Sequence, residues 1–190
     1  MGGNLAPLIV IALVILLPLL YVLGTYNRLV KLRYTIRESW SNVDTELKRR
    51  YDLIPNLVST VKGYAKHERE ALEAVVRARQ AAIDSTGSPA AQARDENELV
   101  RQLRSLFAVV ERYPDLKASQ NFLQLQHELV NTEDRIQAAR RFYNGNVRAN
   151  NVLVQSVPSN LIASLFGFTE AEYFEVEESG IRQPVEVSLG

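Results

Sequence analysis

The stretch LVKLRYTIRESWSNVDTELKRRYDLIPNLV, residues 29–58, decides the fold. Its apolar residues Leu29, Leu32, Ile36, Trp40, Val43, Leu47, Tyr51, Ile54 and Val58 follow one another at spacings of three and four, the mark of one face of a long helix. They also form rows eleven residues apart: Leu29, Trp40 and Tyr51; Leu32, Val43 and Ile54; Ile36, Leu47 and Val58. Eleven residues fill close to three helical turns, so the pattern predicts a nearly straight helix and not a left-handed supercoil. Pro55 interrupts the ladder, and a proline at that place kinks a helix because it brings no N–H.

Towards the N-terminus, Leu5 to Gly24 carries no charge and is almost all Leu, Ile, Val and Ala. Twenty such residues make a helix of about 30 Å, enough to cross the hydrocarbon core of a bilayer. Pro7 and Pro18 are tolerated in such a helix, and Tyr21 and Tyr26 suit the membrane interface. A cleaved signal peptide is the competing reading, with Val22-Leu23-Gly24 as the cleavage site. The preceding Met-Gly-Gly-Asn lacks the basic residues of a signal peptide, which favours an anchor over residues 1–25. Arg28, Lys31, Arg33 and Arg37 follow the span and no Lys or Arg precedes it, so the positive-inside rule places the rest of the chain in the cytoplasm. Arg28, Lys31 and Arg33 are the lipid-proximal candidates, each attracted to anionic headgroups by up to ~1 kcal/mol. The net charge is zero, but residues 26–79 hold twelve Lys or Arg against seven Asp or Glu, and residues 169–190 one against six. Lys48-Arg49-Arg50, the densest basic cluster, lies roughly 35 Å along the helix from the span and reads as a solvated face.

Towards the C-terminus, a second helical segment is expected over 68–84, with Leu72, Val75, Val76 and Ile83 on one side, before the breaker Ser-Thr-Gly-Ser-Pro at 85–89. A third covers about 90–112, carries Leu99, Leu103, Leu106, Phe107 and Val110, and stops at Tyr113-Pro114. A fourth covers about 119–155, with Phe122, Leu125, Leu129, Ile136, Ala139, Tyr143, Val147 and Val154 inward. Strand-like alternation is almost absent, so the class is all-α: an N-terminal transmembrane helix over 5–24 followed by an antiparallel four-helix bundle over 26–168. A three-helix bundle is the runner-up, if the second and third segments run in the same direction. The apolar piece Asn-Leu-Ile-Ala-Ser-Leu-Phe-Gly-Phe after Pro158 is expected to close one end. Thr169 with Glu172 makes a capping-box signature for a short terminal helix, and the acidic residues from Glu175 onward form a fraying tail.

The inventory of reactive groups is thin. There is no cysteine, which excludes disulfides, thiolate metal sites and lipid attachment through cysteine. His67 and His127, the two histidines, lack the spacing that places two ligands on one helical face. Asp44, Asp52, Glu128, Glu133 and Asp134 would have to meet inside the bundle to hold a metal, and the Glu-x-x-His ligand pattern of di-metal bundles is missing. No nucleophile elbow, phosphate loop or dinucleotide fingerprint occurs, and the neutral domain carries no nucleic-acid-binding motif. No catalytic residue, metal or cofactor is expected. The polar residues that stand out are Asp52 and Asn56 beside Ile54-Pro55, and Asn144, Asn146, Asn150 and Asn151 in the fourth helix, since Asn and Asp have poor helix propensity. Asp52, Asn56, Asn146 and Asn150 are the candidates for partner contact or for fixing helix register. The plainer reading gives Asp52 or Asn56 the task of satisfying backbone groups freed by Pro55, and has the asparagines loosen a helix end.

Three stretches read together, LKRRYDLIPNLVSTVKGYAKHE at 47–68, YPDLKASQNFLQLQHEL at 113–129 and ARRFYNGNVRANN at 139–151, resemble the LemA family. The resemblance covers about Tyr26 to Phe168. It implies a bacterial membrane protein with an N-terminal anchor, an antiparallel four-helix bundle and no assigned biochemical activity. Relatives include a magnetosome membrane protein, family members are often encoded near a membrane metalloprotease or a second small membrane protein, and some are lipoproteins displayed outside the cytoplasmic membrane, against the positive-inside reading. This chain departs from the family pattern at Ala149, where many members carry an aromatic residue, and has Gly145 within the fourth helix. The expectation is a non-enzymatic interaction or scaffolding module at the membrane, with the lipid bilayer and other membrane proteins or a second copy as partners and no nucleic acid. The alternatives are a membrane-shaping protein, engaging lipid through the basic side of the first bundle helix and the piece around Leu165 to Phe168, and an unrecognised hydrolase or metal enzyme.

Overall fold

A computed structural model describes residues 5–85 and 87–176. Among these described residues six helices follow in order: α1 Leu5–Tyr64, α2 Arg69–Asp84, α3 Pro89–Val110, α4 Pro114–Lys117, α5 Gln120–Gln155 and α6 Ser159–Leu165. Among the described residues there is no strand. The chain divides into two compact units, residues 5–39 with 144–171 and residues 40–143 with 172–176 of the described part.

In the larger unit, each expected helix forms within a residue or two of its anticipated ends. Between α2 and α3, the Ser88 hydroxyl accepts from the Ala91 amide and Pro89 takes the first helical position, where its missing N–H costs nothing. α2 runs antiparallel to α3, and α1 to α5, as the contacts between them show. Glu68 before α2 meets Arg112 and Tyr113 after α3, while Ala82 meets Gln92 at the other ends. Along α1 and α5, Trp40 packs on Tyr143 and Arg50 reaches Glu133. The core contains Val43, Leu47, Ile54, Leu57 and Val61 of α1 with Leu99, Leu103 and Leu106 of α3 and Phe122, Leu129 and Ile136 of α5. The stripe read on α2 needs correction: Val76 and Ile83 are exposed, and Leu72, Val75, Ala78 and Ala82 face inward. Ala82 also offers its backbone carbonyl to the Gln92 side-chain amide of α3.

Pro55 does not end α1, which continues to Tyr64. Proline has no N–H for the carbonyl four residues earlier, that of Tyr51. Arg79 of α2 supplies the donor, its Nε lying 2.7 Å from the Tyr51 oxygen. Neither Asp52 nor Asn56 does this; both are exposed.

In the smaller unit, the large apolar side chains of the span from Leu8 to Leu23 are mostly exposed, as a helix solvated by lipid tails would leave them. Beyond it, Leu29 packs with Ala163 and Phe168, with Val30, Leu153 and Val154 around them. The end of α6 explains this packing. Gly167 adopts φ +67, a conformation glycine enters without strain; its amide bonds to the Ser164 carbonyl and that of Phe168 to the Ala163 carbonyl. This double closure turns Phe168 inward onto Ala163.

The expected terminal helix after Thr169 is absent, since residues 169–176 carry no helix. Side chains of α5 take up the backbone that a helix would have bonded to itself. Asn151 donates to the Ala171 carbonyl at 2.9 Å and accepts from the Ala171 amide at 2.8 Å, and Asn150 donates to the Thr169 carbonyl at 3.0 Å. Farther on, in the larger unit, the Tyr143 hydroxyl donates to the Glu172 carbonyl at 2.9 Å and Arg140 donates to that of Val176. Phe174 and Val176 are buried, so the chain still has apolar surface to cover past Glu175. The rest of the expected tail, 177–190, lies outside the described residues.

Candidate functional site

Three features stand out: a buried charge cluster, an open basic groove and an apolar edge beside the span. The cluster centres on Arg50, which is only 1% exposed although it belongs to the Lys-Arg-Arg run expected to be solvated. Lys48 and Arg49 do face outward, towards Asp44 at 2.8 Å and Glu46 at 3.6 Å. The Arg50 guanidinium pairs with Glu96 of α3 and with Glu133 of α5, the latter at 2.9 Å. Glu96 also accepts from the Tyr51 hydroxyl and, at 2.9 Å, from the Gln92 amide. Gln92 donates in addition to the Ala82 carbonyl at 3.0 Å, and Arg79 binds the carbonyl of Tyr51. Four helices thus meet through polar groups withdrawn from water.

Burial opposes the Arg50 charge, yet the adjoining Glu96 and Glu133 carboxylates outweigh it and hold the guanidinium protonated. Burial, reinforced by the negative Glu96, pushes the Tyr51 hydroxyl far above its ordinary range, so it stays a neutral donor. The chemistry of the cluster is mutual pairing, since a buried ion survives only when paired and hydrogen-bonded; among the described residues, Arg50 Nε alone of the guanidinium nitrogens lacks a partner.

The structure separates the carboxylates weighed for metal binding. Glu133 enters the cluster, Asp44 pairs with Lys48 and Glu128 accepts from Gln124 at 3.2 Å. Among the described residues, no group of three His, Cys, Asp or Glu is placed to hold a metal. Of the polar candidates, Asn150 is buried and ties down the segment after α6, which is the role of Asn151 as well. Asn146 is half-buried, Asp52 exposed, and Asn56 lines a polar groove with Ser59, Thr60, Asn121 and Gln124. The structure does not gather these four in one place.

Arg28 and Lys31 are exposed. Arg33 lays its guanidinium 4.3 Å from the centre of the Phe168 ring, where the ring face attracts a cation. The apolar piece after Pro158 divides between two environments. Ile162, Ala163 and Phe168 are buried, whereas Leu161, Leu165 and Phe166 are exposed.

The groove was not anticipated. It lies between the end of α1 and α2, measures about 520 Å³, and is lined by apolar Val58, Leu72 and Val76 together with Lys62, Lys66, Arg69 and Arg77. Among the described residues Glu73 is its one carboxylate, held by Arg69 at 2.6 Å and by Arg77 at 3.7 Å.

Comparison with known proteins agrees with the three motif stretches. The model of the LemA family matches residues 39–189. Magnetosome protein MamQ 2 of Paramagnetospirillum magneticum is 26% identical over 186 residues, covering 84% of this chain and 68% of its own length. Magnetosome protein MamQ of Magnetospirillum gryphiswaldense is 25% identical with the same coverage. Protein LemA of Metamycoplasma hominis is 27% identical over 169 residues, covering 84% of this chain and 76% of its own length.

Proposed function

The chain belongs to the LemA family, and from that premise we propose that this membrane-associated protein is a non-enzymatic interaction module, which receives an acidic amphipathic helix of another membrane protein in the groove between α1 and α2. The observation that carries the reading is the groove itself: among the described residues it is lined by four cations, a single, already paired carboxylate and the apolar Val58, Leu72 and Val76. An amphipathic helix lays its apolar face on such apolar lining, and acidic residues along its edges match the cations. Complementary rim charges steer encounter and reject partners of the wrong sign. The residues Arg28, Lys31, Arg33 and Arg37 support placing this module on the cytoplasmic side.

The test uses the full chain in lipid nanodiscs and a labelled helical peptide with leucine on one face and glutamate on the other. It is expected to bind at low salt and to lose about tenfold in affinity when Lys62→Glu and Lys66→Glu are combined, the scale of a few rim charges. The matching lysine peptide is expected to bind no better than to empty nanodiscs. Equal binding of both peptides, or indifference to the two reversals, contradicts the proposal.

A further inference from the structure

We propose that α6 and the turn before it form a lipid-contacting foot, in which Leu161, Leu165 and Phe166 enter the same bilayer leaflet from which the span emerges. The inference is independent of the groove and rests on geometry within the smaller unit alone. The uncharged run ends at Gly24, and Tyr26 stands only about 3 Å farther along the helix axis. The Phe166 ring lies edge-on to the Tyr26 ring, with centres 4.9 Å apart, so Phe166 sits at the depth where aromatic side chains settle between headgroups and hydrocarbon. The direction of α6 brings it there. Leu29 packs on Ala163 and Tyr26 on Phe166, so the chain moves back along α1 towards the span as α6 proceeds.

One side of α6 is spent on the protein, through Ser159, Ile162 and Ala163. On the other, Leu161 and Leu165, a turn apart, are 68% and 77% exposed, and Val157 just before the helix is 80% exposed. Single exposed leucines need no explanation, but contiguous apolar surface does. Here the patch continues directly from the lipid-facing surface of the span, and that continuity names its occupant. Arg28 and Lys31, exposed on the adjoining turn of α1, add attraction to anionic headgroups. The closure at Gly167 makes the arrangement possible, leaving Phe166 outside while Phe168 turns into the core.

The chain lacks cysteine, so Leu165→Cys and, separately, Leu161→Cys each give a unique labelling position. The full chain carrying an environment-sensitive fluorophore at either position is placed in nanodiscs of mixed phosphatidylcholine and phosphatidylglycerol. Glu38→Cys, exposed on α1 of the same unit and about 21 Å along the helix from Gly24, serves as the reference. Lipid bearing a quencher near its headgroup is expected to quench labels at 161 and 165 several-fold more than the label at 38, and aqueous iodide to do the reverse. Iodide reaching 161 and 165 as freely as 38 overturns the proposal. So does protection from both quenchers, which would mean that protein, such as a second copy, covers the patch.

Discussion

Around Arg50, charged side chains occupy the interior; around Phe166, apolar side chains occupy the surface. Each region departs from the rule that apolar residues face in and polar residues out, and the two departures have opposite remedies. The interior ions are paired with one another, the two terminal nitrogens of Arg50 with Glu96 and Glu133 on two other helices, and Tyr51 and Gln92 donate to Glu96 as well, while Arg50 Nε stays buried without a partner among the described residues. Among the described residues, Leu161 and Leu165 stay largely uncovered and Phe166 only partly covered by Tyr26, so these surface residues point to a solvent other than water. A pattern broken inward thus serves the mutual placement of helices, and a pattern broken outward marks a surface with something to bind.

The sharpest way to break this comparison is to remove the central ion. Arg50→Met strands two carboxylates in the core and is expected to cost about 3–5 kcal/mol. Urea unfolding followed through Trp40, the sole tryptophan and packed on Tyr143 and Phe174, would report it. Combining Arg50→Met with Glu96→Leu and Glu133→Leu is expected to restore most of the loss, because no charge is then left unpaired. A cost for Arg50→Met no larger than that of an exposed substitution would refute the role given to the cluster.

Arg79→Met comes next, at about 1–3 kcal/mol, since it leaves the Tyr51 carbonyl without a donor. Pro55→Ala restores the missing N–H, so the same change made in that background is expected to cost clearly less. Additive effects in this double-mutant cycle would show that Arg79 does not compensate for the proline. In the smaller unit, Asn151→Ala removes both bonds to Ala171 and is expected to cost about 1–2 kcal/mol. Hydrogen exchange at the Ala171 amide should accelerate while amides near Arg50 stay slow; uniform acceleration would mean that the two regions open together.

The smallest effect concerns Tyr143. Burial, with the Glu172 charge adding to it, pushes its hydroxyl from the ordinary 10.0 up to about 12. The folded state therefore holds this proton more tightly than the unfolded chain does. Its contribution to stability is full below pH 10 and is lost as pH rises towards about 12. Tyr143→Phe is expected to cost about 1 kcal/mol at neutral pH through the bond to the Glu172 carbonyl, and to make the alkaline decline shallower. An unchanged alkaline slope would assign that decline to other groups, with Tyr51 the first to examine.

Helices were legible in the sequence because apolar spacing and Pro or Gly punctuation are local signals; α2, α3 and α5 begin and end within two residues of their expected limits. Sides of helices were legible only where large residues marked them. On α2 the inward positions are Leu72, Val75, Ala78 and Ala82, and a small side chain such as the two alanines looks the same to a stripe whether it is buried or not. The charge cluster stayed hidden because Arg50 meets partners 46 and 83 residues away. A signal existed nevertheless: Arg50 stands between Leu47 and Ile54, Glu96 between Ala93 and Leu99, and Glu133 between Leu129 and Ile136, each an ion within an apolar row. Rows interrupted by ions of opposite sign on different helices are what a buried pair looks like in one dimension. Thr169 and Glu172 misled for the converse reason, since a capping box is local and Asn150, Asn151 and Tyr143 override it from a distance.

The central claim, a membrane-anchored module that receives a partner in its groove, is tested most directly by placing a photo-reactive amino acid at Val76 on the groove and illuminating intact membranes. The account predicts a discrete adduct that disappears when Lys62→Glu and Lys66→Glu are introduced together. No adduct above that from a probe at the exposed Arg141, or an adduct unaffected by the two reversals, would contradict it.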